Sequence, residues 1–268
     1  MRSNTGGEDP NKGIVTASGP LWKEQRTVSL YILRAFGMGK NILALKISEE
    51  VSAYLNKLTE LRGEPSEVHT LTRTAVANII CSIIVGKRFE YDDDYFIQFV
   101  WRLAEVFRLS QRTSMFTVFP WLRYLPGDLF KAKERMAHFR NIIDHFCLHY
   151  IEKTRNEDPE LNSENFISAY LHEKEKREKQ GQDTTLDDEN LSRVLFNLFL
   201  AGTDTISTSI AWFMVHILHH PEVQEKMFAE ISDVVGTERA PTMHDKNKLN
   251  YTMAAITEAL RLAGPPFG

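Results

Sequence analysis

The helical spacing of apolar residues is the feature that most restricts the fold of this chain. Within residues 129–150, apolar side chains recur at steps of three, four or seven, and charged residues fill positions between them. The recurring residues are Leu129, Met136, Phe139, Ile143, Phe146 and Tyr150. This spacing predicts an amphipathic helix, and residues 43–58 and 96–107 repeat it. No run of alternating apolar and polar residues is long enough to indicate a sheet of any size. We therefore predict a mainly α-helical fold.

Proline, glycine and charged segments mark where the predicted helices end. Residues 63–66 and 120–127 are predicted linkers, residues 156–164 a polar loop, and residues 173–188 a mobile, charged surface excursion. Pro221 ends one helix and is well placed to begin the next. With 268 residues and 43% hydrophobic content, the chain can bury one large core or two small ones. We assign residues 1–268 to a single domain.

Composition argues against several classes of protein. The net charge of −4 does not suit a polybasic nucleic-acid binder. Cys81 and Cys147 are too few for a disulfide framework and lack the paired spacing of a zinc site. The longest apolar stretch, residues 195–218, contains Asn197 and Asp204, so we do not expect it to face lipid. The sequence has none of the motifs of serine hydrolases, P-loop proteins or dinucleotide-binding proteins.

Residues 201–205, Ala-Gly-Thr-Asp-Thr, are unusual choices inside an apolar helix. Gly202 weakens a helix interior by about 1 kcal/mol relative to Ala. The Thr205 hydroxyl is placed to bond the Ala201 carbonyl and to open the helix locally. A shallow groove beside Ala201 and Gly202, with a hydroxyl and the Asp204 carboxylate at its edge, would hold a diatomic ligand and relay protons. The alternative is a close helix crossing that needs small residues, with Asp204 in a salt bridge.

Two pairs of residues share a helix face at close spacing. Trp22 and Arg26 are four residues apart, and both side chains only donate hydrogen bonds, so together they suit a carboxylate or phosphate. The alternative is a solvated Arg beside a half-buried Trp. Glu258 and Arg261 are three residues apart and form either a solvated intrahelical pair or a buried pair that fixes neighbouring segments.

The histidines at 216, 219 and 220 have helical spacing that metal ligands can share. The acidic residue of the HExxH motif is missing, and the three lie at a predicted helix end. Histidines favour that position because they interact with the helix dipole. We therefore assign no metal to them.

Three sequence features, taken in their order along the chain, resemble those of the cytochrome P450 family, and more closely its microsomal family-2 branch. They are Trp22 with Arg26, residues 201–205, and Glu258 with Arg261. Longer stretches that share the resemblance are residues 13–26, 34–40, 86–92 and 218–225. The resemblance runs from about residue 10 to the end. It implies an incomplete P450 fold of central helices, which include the long oxygen-groove helix and the Glu-x-x-Arg helix.

The resemblance also implies a haem cofactor and roles for individual residues. Trp22 and Arg26 would donate to a haem propionate, and Ala201 and Gly202 would line the oxygen groove. Asp204 and Thr205 would be catalytic and would deliver protons. Leu200, Ala201 and residues around Phe107 would face the substrate, and Glu258 and Arg261 would be a structural brace.

The implied activity is that of a monooxygenase that inserts one oxygen atom from O2 into lipophilic xenobiotics, fatty acids or steroids. Electrons would come from NADPH through cytochrome P450 reductase, with cytochrome b5 as a further partner. Lys23 and Arg34 would contribute to a basic docking surface. The family implies the cytoplasmic face of the endoplasmic reticulum membrane, without a nucleic-acid partner.

The sequence departs from the family pattern at the axial ligand. The family uses a cysteine thiolate that follows the Glu-x-x-Arg motif, whereas Cys81 and Cys147 both precede residues 201–205. We therefore expect a partial chain that lacks the membrane anchor and the iron ligand and is inactive by itself. Two alternatives are a short helical binding or decoy protein, and a haem sensor that uses one of the three histidines.

Overall fold

The computed structural model describes residues 11–36, 41–124, 127–157 and 165–263. Most of the predicted polar loop, part of the second linker and residues 37–40 of the resembling stretch lie outside these ranges. The described residues contain helices and connecting turns but no β-strand, which confirms the prediction of a mainly α fold.

Eleven α-helices occur in the described ranges. They are α1 Gly19–Ala35, α2 Asn41–Glu60, α3 Val68–Ile84, α4 Asp94–Thr113, α5 Met115–Val118, α6 Ala132–Ile142, α7 Leu148–Asn156, α8 Phe166–Lys179, α9 Asp188–His219, α10 Pro221–Val234 and α11 Asn250–Leu262. Short 3₁₀ turns span Pro120–Tyr124 and Lys246–Lys248, and a π-helical segment spans Ile143–Cys147.

The chain forms two compact units. The first comprises Met1–Met38 and Ala77–Ala201, and the second comprises Gly39–Val76 and Gly202–Gly268. Helices α3 and α9 each contribute residues to both units. The assignment of residues 1–268 to one domain remains a prediction.

An aromatic cluster forms the centre of the first unit. Phe146 stacks on Phe99 with ring centroids 3.7 Å apart, and the Phe199 ring from α9 meets both of them edge-on. Phe89 and Phe96 extend the cluster as a stacked pair. These rings are almost fully buried, so they supply much of the apolar surface that the unit removes from water. Most of the periodic apolar residues in 96–107 and 129–150 are therefore core residues, whereas Leu129 is exposed and Phe107 and Met136 are half-buried.

The π-helical segment interrupts the helix that we predicted over residues 129–150. Ile143, Phe146 and Cys147 are all buried within it. The wider turn of a π-helix leaves main-chain carbonyls without their usual partners, and the Tyr95 hydroxyl donates a hydrogen bond to the His145 carbonyl. Apolar spacing of three and four fits an α-helix and this interrupted helix equally, so the sequence could not distinguish them.

Residues 173–188 differ from the predicted mobile excursion. Their first part continues α8 to Lys179. The loop that follows bonds to α1, because Glu24 accepts hydrogen bonds from the Thr184 hydroxyl and from both the backbone and the hydroxyl of Thr185. Arg177 on α8 also forms ion pairs with Glu24 and Glu173. The charged residues of this segment therefore take part in packing.

In the second unit, α10 and α11 are joined by a carboxylate at a helix N-terminus. Glu230 on α10 accepts hydrogen bonds from the backbone N–H groups of Tyr251 and Thr252, each at 2.8 Å. The Thr252 hydroxyl donates to the same side chain at 2.7 Å. The first N–H groups of a helix lack partners within it, and a carboxylate there also interacts favourably with the helix dipole.

Helix α9 is the one described helix that is long and apolar enough, by length and composition, to span a membrane. Leu191, Leu195 and Phe199 on its first half are fully buried within the first unit. The first half of α9 therefore lies in the core of the first unit.

Candidate functional site

Asp204 lies on the buried side of α9, where only 2% of its surface is exposed. The Nε–H of Arg73 on α3 donates a hydrogen bond to Asp204 Oδ1 at 3.0 Å. Both residues belong to the second unit, and the Arg73 side chain is 18% exposed. The salt bridge that we gave as the alternative interpretation of Asp204 is therefore present.

The second oxygen of this carboxyl group is unpaired within the part of the chain that the structure describes. Asp204 Oδ2 and the neighbouring Thr203 hydroxyl are buried and have no hydrogen-bond partner among the described residues. Leaving a buried polar atom unpaired costs about 1–3 kcal/mol, so such atoms are uncommon in folded proteins. An unpaired carboxyl oxygen at this position is therefore a candidate for a functional group.

Burial raises the pKa of the Asp204 carboxyl above its usual value, although the charges of Arg73 and His69 oppose this effect. The carboxyl group is thus more readily protonated than an exposed Asp. Burial and the neighbouring Arg73 charge lower the pKa of His69, which lies one turn before Arg73 on α3. Groups whose pKa is displaced by burial and a specific partner are typical of functional sites.

The remaining residues of the 201–205 segment lie on a different side of α9. Ala201 is exposed, and Gly202 and Thr205 are half-buried, whereas Thr203 and Asp204 are buried. Helix α9 is α-helical without interruption from Asp188 to His219, so the predicted local opening does not break it. The groove beside Ala201 and Gly202 remains a prediction, and the structure supplies an accessible helix face at that place.

Trp22 and Arg26 share one side of α1, as their spacing predicts, and both side chains are exposed. The guanidinium carbon of Arg26 is 5.5 Å from the centroid of the Trp22 ring. No carboxylate among the described residues forms an ion pair with Arg26. An indole N–H and an unpaired guanidinium suit a haem propionate, because both groups only donate hydrogen bonds.

A buried network that the sequence did not reveal holds the buried side of α1 next to these two residues. Gln25 is fully buried, accepts a hydrogen bond from the Tyr170 hydroxyl at 2.8 Å and donates one to the Thr185 carbonyl at 2.9 Å. Burial alone would raise the pKa of the adjacent Glu24 carboxyl. Hydrogen bonds from Thr185 and Thr184 and the charge of Arg177 outweigh burial and hold this pKa below its usual value. The network fixes which side of α1 presents Trp22 and Arg26.

Two asparagines of α9 fix the loop that precedes α1. Asn197 Oδ1 accepts hydrogen bonds from the backbone N–H groups of Ile14 and Val15, at 3.0 and 3.1 Å. Asn190 Oδ1 accepts one from Gly13 N–H at 3.2 Å. Gly13 has a φ of +77°, and a Cβ there would lie 2.8 Å from Asn197 Oδ1. The contact therefore requires glycine.

Glu258 and Arg261 form an intrahelical pair on α11, with Arg261 Nε 2.7 Å from Glu258 Oε2. Their side chains are 54% and 67% exposed. In this chain the pair matches the solvated interpretation, and its role as a brace between segments remains a prediction. Glu258 lies beside an apolar groove of about 380 Å³ between the end of α9, α10 and α11.

Leu200 and Phe107, the other predicted substrate contacts, are both half-buried in the first unit. They are partly accessible, as a pocket lining must be. Their role remains a prediction.

The histidine trio does not converge on a common point in the structure. His219 Nδ1 is 2.8 Å from the Val215 carbonyl, and His220 Nδ1 is 3.2 Å from Glu222. Among the described residues, Glu105, Glu134 and His138 have potential ligand atoms within 4.8 Å of one another. Each of the three already contacts a basic side chain. Glu105 pairs with Arg108, Glu134 pairs with Lys131, and His138 contacts Arg102. We assign no metal to either group.

Arg73 is a further site residue that sequence reasoning missed. It is the only Lys or Arg in α3, whose remaining residues are apolar or small and polar apart from His69 and Asn78. A lone cation in such a helix indicates a buried acidic partner. Asp204 lies 131 positions further along the chain, so the partner itself could not be identified without the fold.

Comparison with known proteins gives a consistent result. The family model for cytochrome P450 matches residues 3–266. The chain is 37% identical to human cytochrome P450 2J2 over 257 residues, which is 93% of this chain and 49% of that protein. It is 38% identical to rat cytochrome P450 2J3 over 256 residues, with the same two coverages. With human cytochrome P450 2U1 the identity is 35%, over 94% of this chain and 46% of that protein.

The chain spans about half the length of the curated relatives that it matches. These relatives all carry family-2 names, as the resemblance implied. The family match covers nearly every residue, and the mainly helical structure agrees with it. The chain belongs to the cytochrome P450 family.

Proposed function

We propose that this chain supplies the haem-facing helix and the proton-delivery helix of a haem-thiolate monooxygenase. The reaction inserts one oxygen atom from O2 into a lipophilic organic substrate such as a xenobiotic, a fatty acid or a steroid. When bound, haem supplies the iron centre at which O2 is reduced with electrons from NADPH. The observation that carries the proposal is the buried Asp204 carboxyl group, next in sequence to the accessible face of Ala201, Gly202 and Thr205.

Helix α1 would hold the cofactor through one propionate. Arg26 brings a permanent positive charge, and the Trp22 indole adds a neutral donor one turn earlier. The Glu24 and Gln25 network fixes the buried side of the helix, so the two donors are oriented before the cofactor arrives. Orientation in advance lowers the entropy that binding must overcome.

Helix α9 would provide proton transfer. A carboxyl group with a raised pKa regains a proton at neutral pH more readily than an ordinary Asp, which suits a general acid that works repeatedly. The Thr205 hydroxyl, next in sequence to Asp204 but on the accessible side of α9, can both accept and donate a hydrogen bond, which suits a proton relay at that face. Ala201 and Gly202 keep that face free of bulky side chains.

The axial thiolate is not assigned to either cysteine of this chain. Cys81 and Cys147 are fully buried in the core of the first unit. Burial raises the pKa of the Cys147 thiol, and the thiolate is the form that binds metal. We place the ligand in the remainder of the P450 domain, because the relatives are about twice as long as the region matched here.

The proposed partners follow from the family. Cytochrome P450 reductase would deliver electrons, with cytochrome b5 as a second donor, at the cytoplasmic face of the endoplasmic reticulum membrane. Lys23 and Arg34 are exposed on α1 and offer positive charge for an acidic partner. The substrate would contact Leu200, Ala201 and Phe107.

The Arg26→Ala variant is expected to bind haem about 10-fold more weakly than the wild-type chain. A hydrogen bond to a charged group contributes about 1.5–3 kcal/mol, and partial exposure of Arg26 reduces the effect toward the lower figure. The measurement is titration of the full chain with haem, followed by absorbance in the Soret region. Trp22→Phe removes the neutral donor and is expected to weaken binding by a smaller factor.

Lys23→Ala is the matched control, because Lys23 is an exposed cation on the same helix that we do not place at the propionate. An equal loss of affinity in Lys23→Ala and Arg26→Ala would contradict the proposed clamp. A helical binding or decoy protein without a haem site predicts that none of the three substitutions changes haem affinity.

A further inference from the structure

Arg73 contacts Asp204 with one side of its guanidinium group. The Nε–H reaches Asp204 Oδ1 at 3.0 Å, whereas the NH2 nitrogen lies 3.5 Å from His69 Nε2. Nε and a terminal nitrogen of arginine commonly bind both oxygens of one carboxylate together. In this chain the terminal nitrogen faces His69 instead, and Asp204 Oδ2 has no partner among the described residues.

The Asp204 carboxyl group has few charged neighbours among the described residues. The charged or titratable groups that act on it are Arg73 and His69, both on α3 and both in the second unit. Glu67, near the start of α3, acts on His69. Asp204 is 2% exposed, so its carboxyl group lies away from bulk solvent.

We propose that Arg73 is the positioning residue of Asp204, because it fixes Oδ1 and leaves Oδ2 as the oxygen that gains and releases the proton. His69 assists by engaging the second nitrogen of Arg73 and so keeps that nitrogen away from Oδ2. The inference deepens the proposed proton-delivery role and rests on it. It concerns only residues of this chain and requires no bound cofactor.

In this transfer, one proton is gained and later released at one atom, Asp204 Oδ2. Asp204 in its ionised form takes one proton from a hydronium ion or a buffer acid and forms one O–H bond at Oδ2. It later breaks that bond and returns the proton to a base. Arg73 keeps its charge throughout, since guanidinium does not lose its proton in proteins. The Arg73 bond to Oδ1 therefore persists through both states.

The test is a pH titration of the Asp204 carboxyl carbon by NMR in the full chain labelled at Asp, with Asp204→Asn used to assign the signal. An opposite charge within about 4–6 Å lowers a carboxyl pKa by about 1–3. In Arg73→Met, the midpoint of the titration is therefore expected to move up by about 1–3 pH units. Arg73→Lys, which keeps the charge but has no fork, is expected to recover part of this shift.

His69→Phe supplies a second arm that does not remove the ion pair. It releases the Arg73 nitrogen to bind Oδ2, and this added hydrogen bond outweighs the loss of the His69 charge, which is small because burial lowers the pKa of His69. The midpoint is therefore expected to move down relative to the wild type. This variant also keeps the proposal testable if Arg73→Met does not fold. Arg112→Met removes an exposed cation of α4 and is expected to leave the Asp204 titration unchanged.

An Asp204 midpoint that is the same in wild type, Arg73→Lys and His69→Phe would overturn the proposal. Failure of the proposed monooxygenase function would appear differently, as absence of product in the whole enzyme with these titration shifts intact. Normal product formation with no titration shift would contradict the positioning role alone.

Discussion

Replacement of Phe146 by Ala is expected to lower the free energy of unfolding by about 3–5 kcal/mol. Phe146 is 2% exposed and lies in the π-helical segment at the centre of the aromatic cluster. Its ring stacks on Phe99 and meets Phe199 edge-on, so truncation removes contacts with two other helices and leaves a cavity. Tyr150 also loses a neighbour at 4.9 Å between ring centroids.

The measurement is urea unfolding of the full chain followed by far-UV circular dichroism. Phe228→Ala on α10 is the matched control, because the Phe228 side chain is 68% exposed. We expect the control to change stability by no more than about 0.5 kcal/mol. Equal unfolding midpoints for the two variants would show that the cluster is not the core of the first unit.

Replacement of Gly13 by Ala is expected to lower stability by about 3 kcal/mol and to detach the loop before α1 from α9. The backbone strain of a non-glycine residue at positive φ accounts for part of this value. The added methyl group would also lie 2.8 Å from Asn197 Oδ1 and 2.9 Å from Arg193 Cβ. Relief of these contacts requires the loop to move and its hydrogen bonds to Asn190 and Asn197 to break.

The Gly181→Ala variant separates the effect of backbone strain from the effect of close contact. Gly181 has a φ of +64°, but a Cβ there would meet nothing within 4 Å. We expect this variant to lose only the strain, about 1 kcal/mol. Hydrogen exchange of the Ile14 and Val15 amides reports loop detachment directly, and slow exchange in Gly13→Ala equal to wild type would refute the close-contact argument.

Much of the fold could be predicted because apolar spacing follows directly from which side of a helix is buried. The helices over residues 43–58 and 96–107 lie where the spacing places them. The π-helical segment could not be predicted, since one extra residue per turn leaves a local spacing of three and four intact. The division into two units depends on contacts between distant residues, about which local spacing contains no information.

The residues of the candidate site also differ in whether the sequence alone could identify them. Trp22 and Arg26 share a helix face because they are one turn apart, a purely local property. Asp204 stood out because an acid in an apolar helix is costly unless it is paired. Arg73, His69 and the Gln25 network required the fold, because each makes its contact with a partner on another element.

The most direct test of the proposed proton delivery is product formation by the complete enzyme that carries Asp204→Asn. With substrate, NADPH, O2 and reductase, we expect the rate of product formation to fall about 100-fold, the range of general acid catalysis. NADPH consumption is expected to continue, with its electrons recovered as hydrogen peroxide. Asp233→Asn, at an exposed Asp of α10, is the matched control and is expected to behave as wild type. Product formation by Asp204→Asn at the wild-type rate would contradict the account.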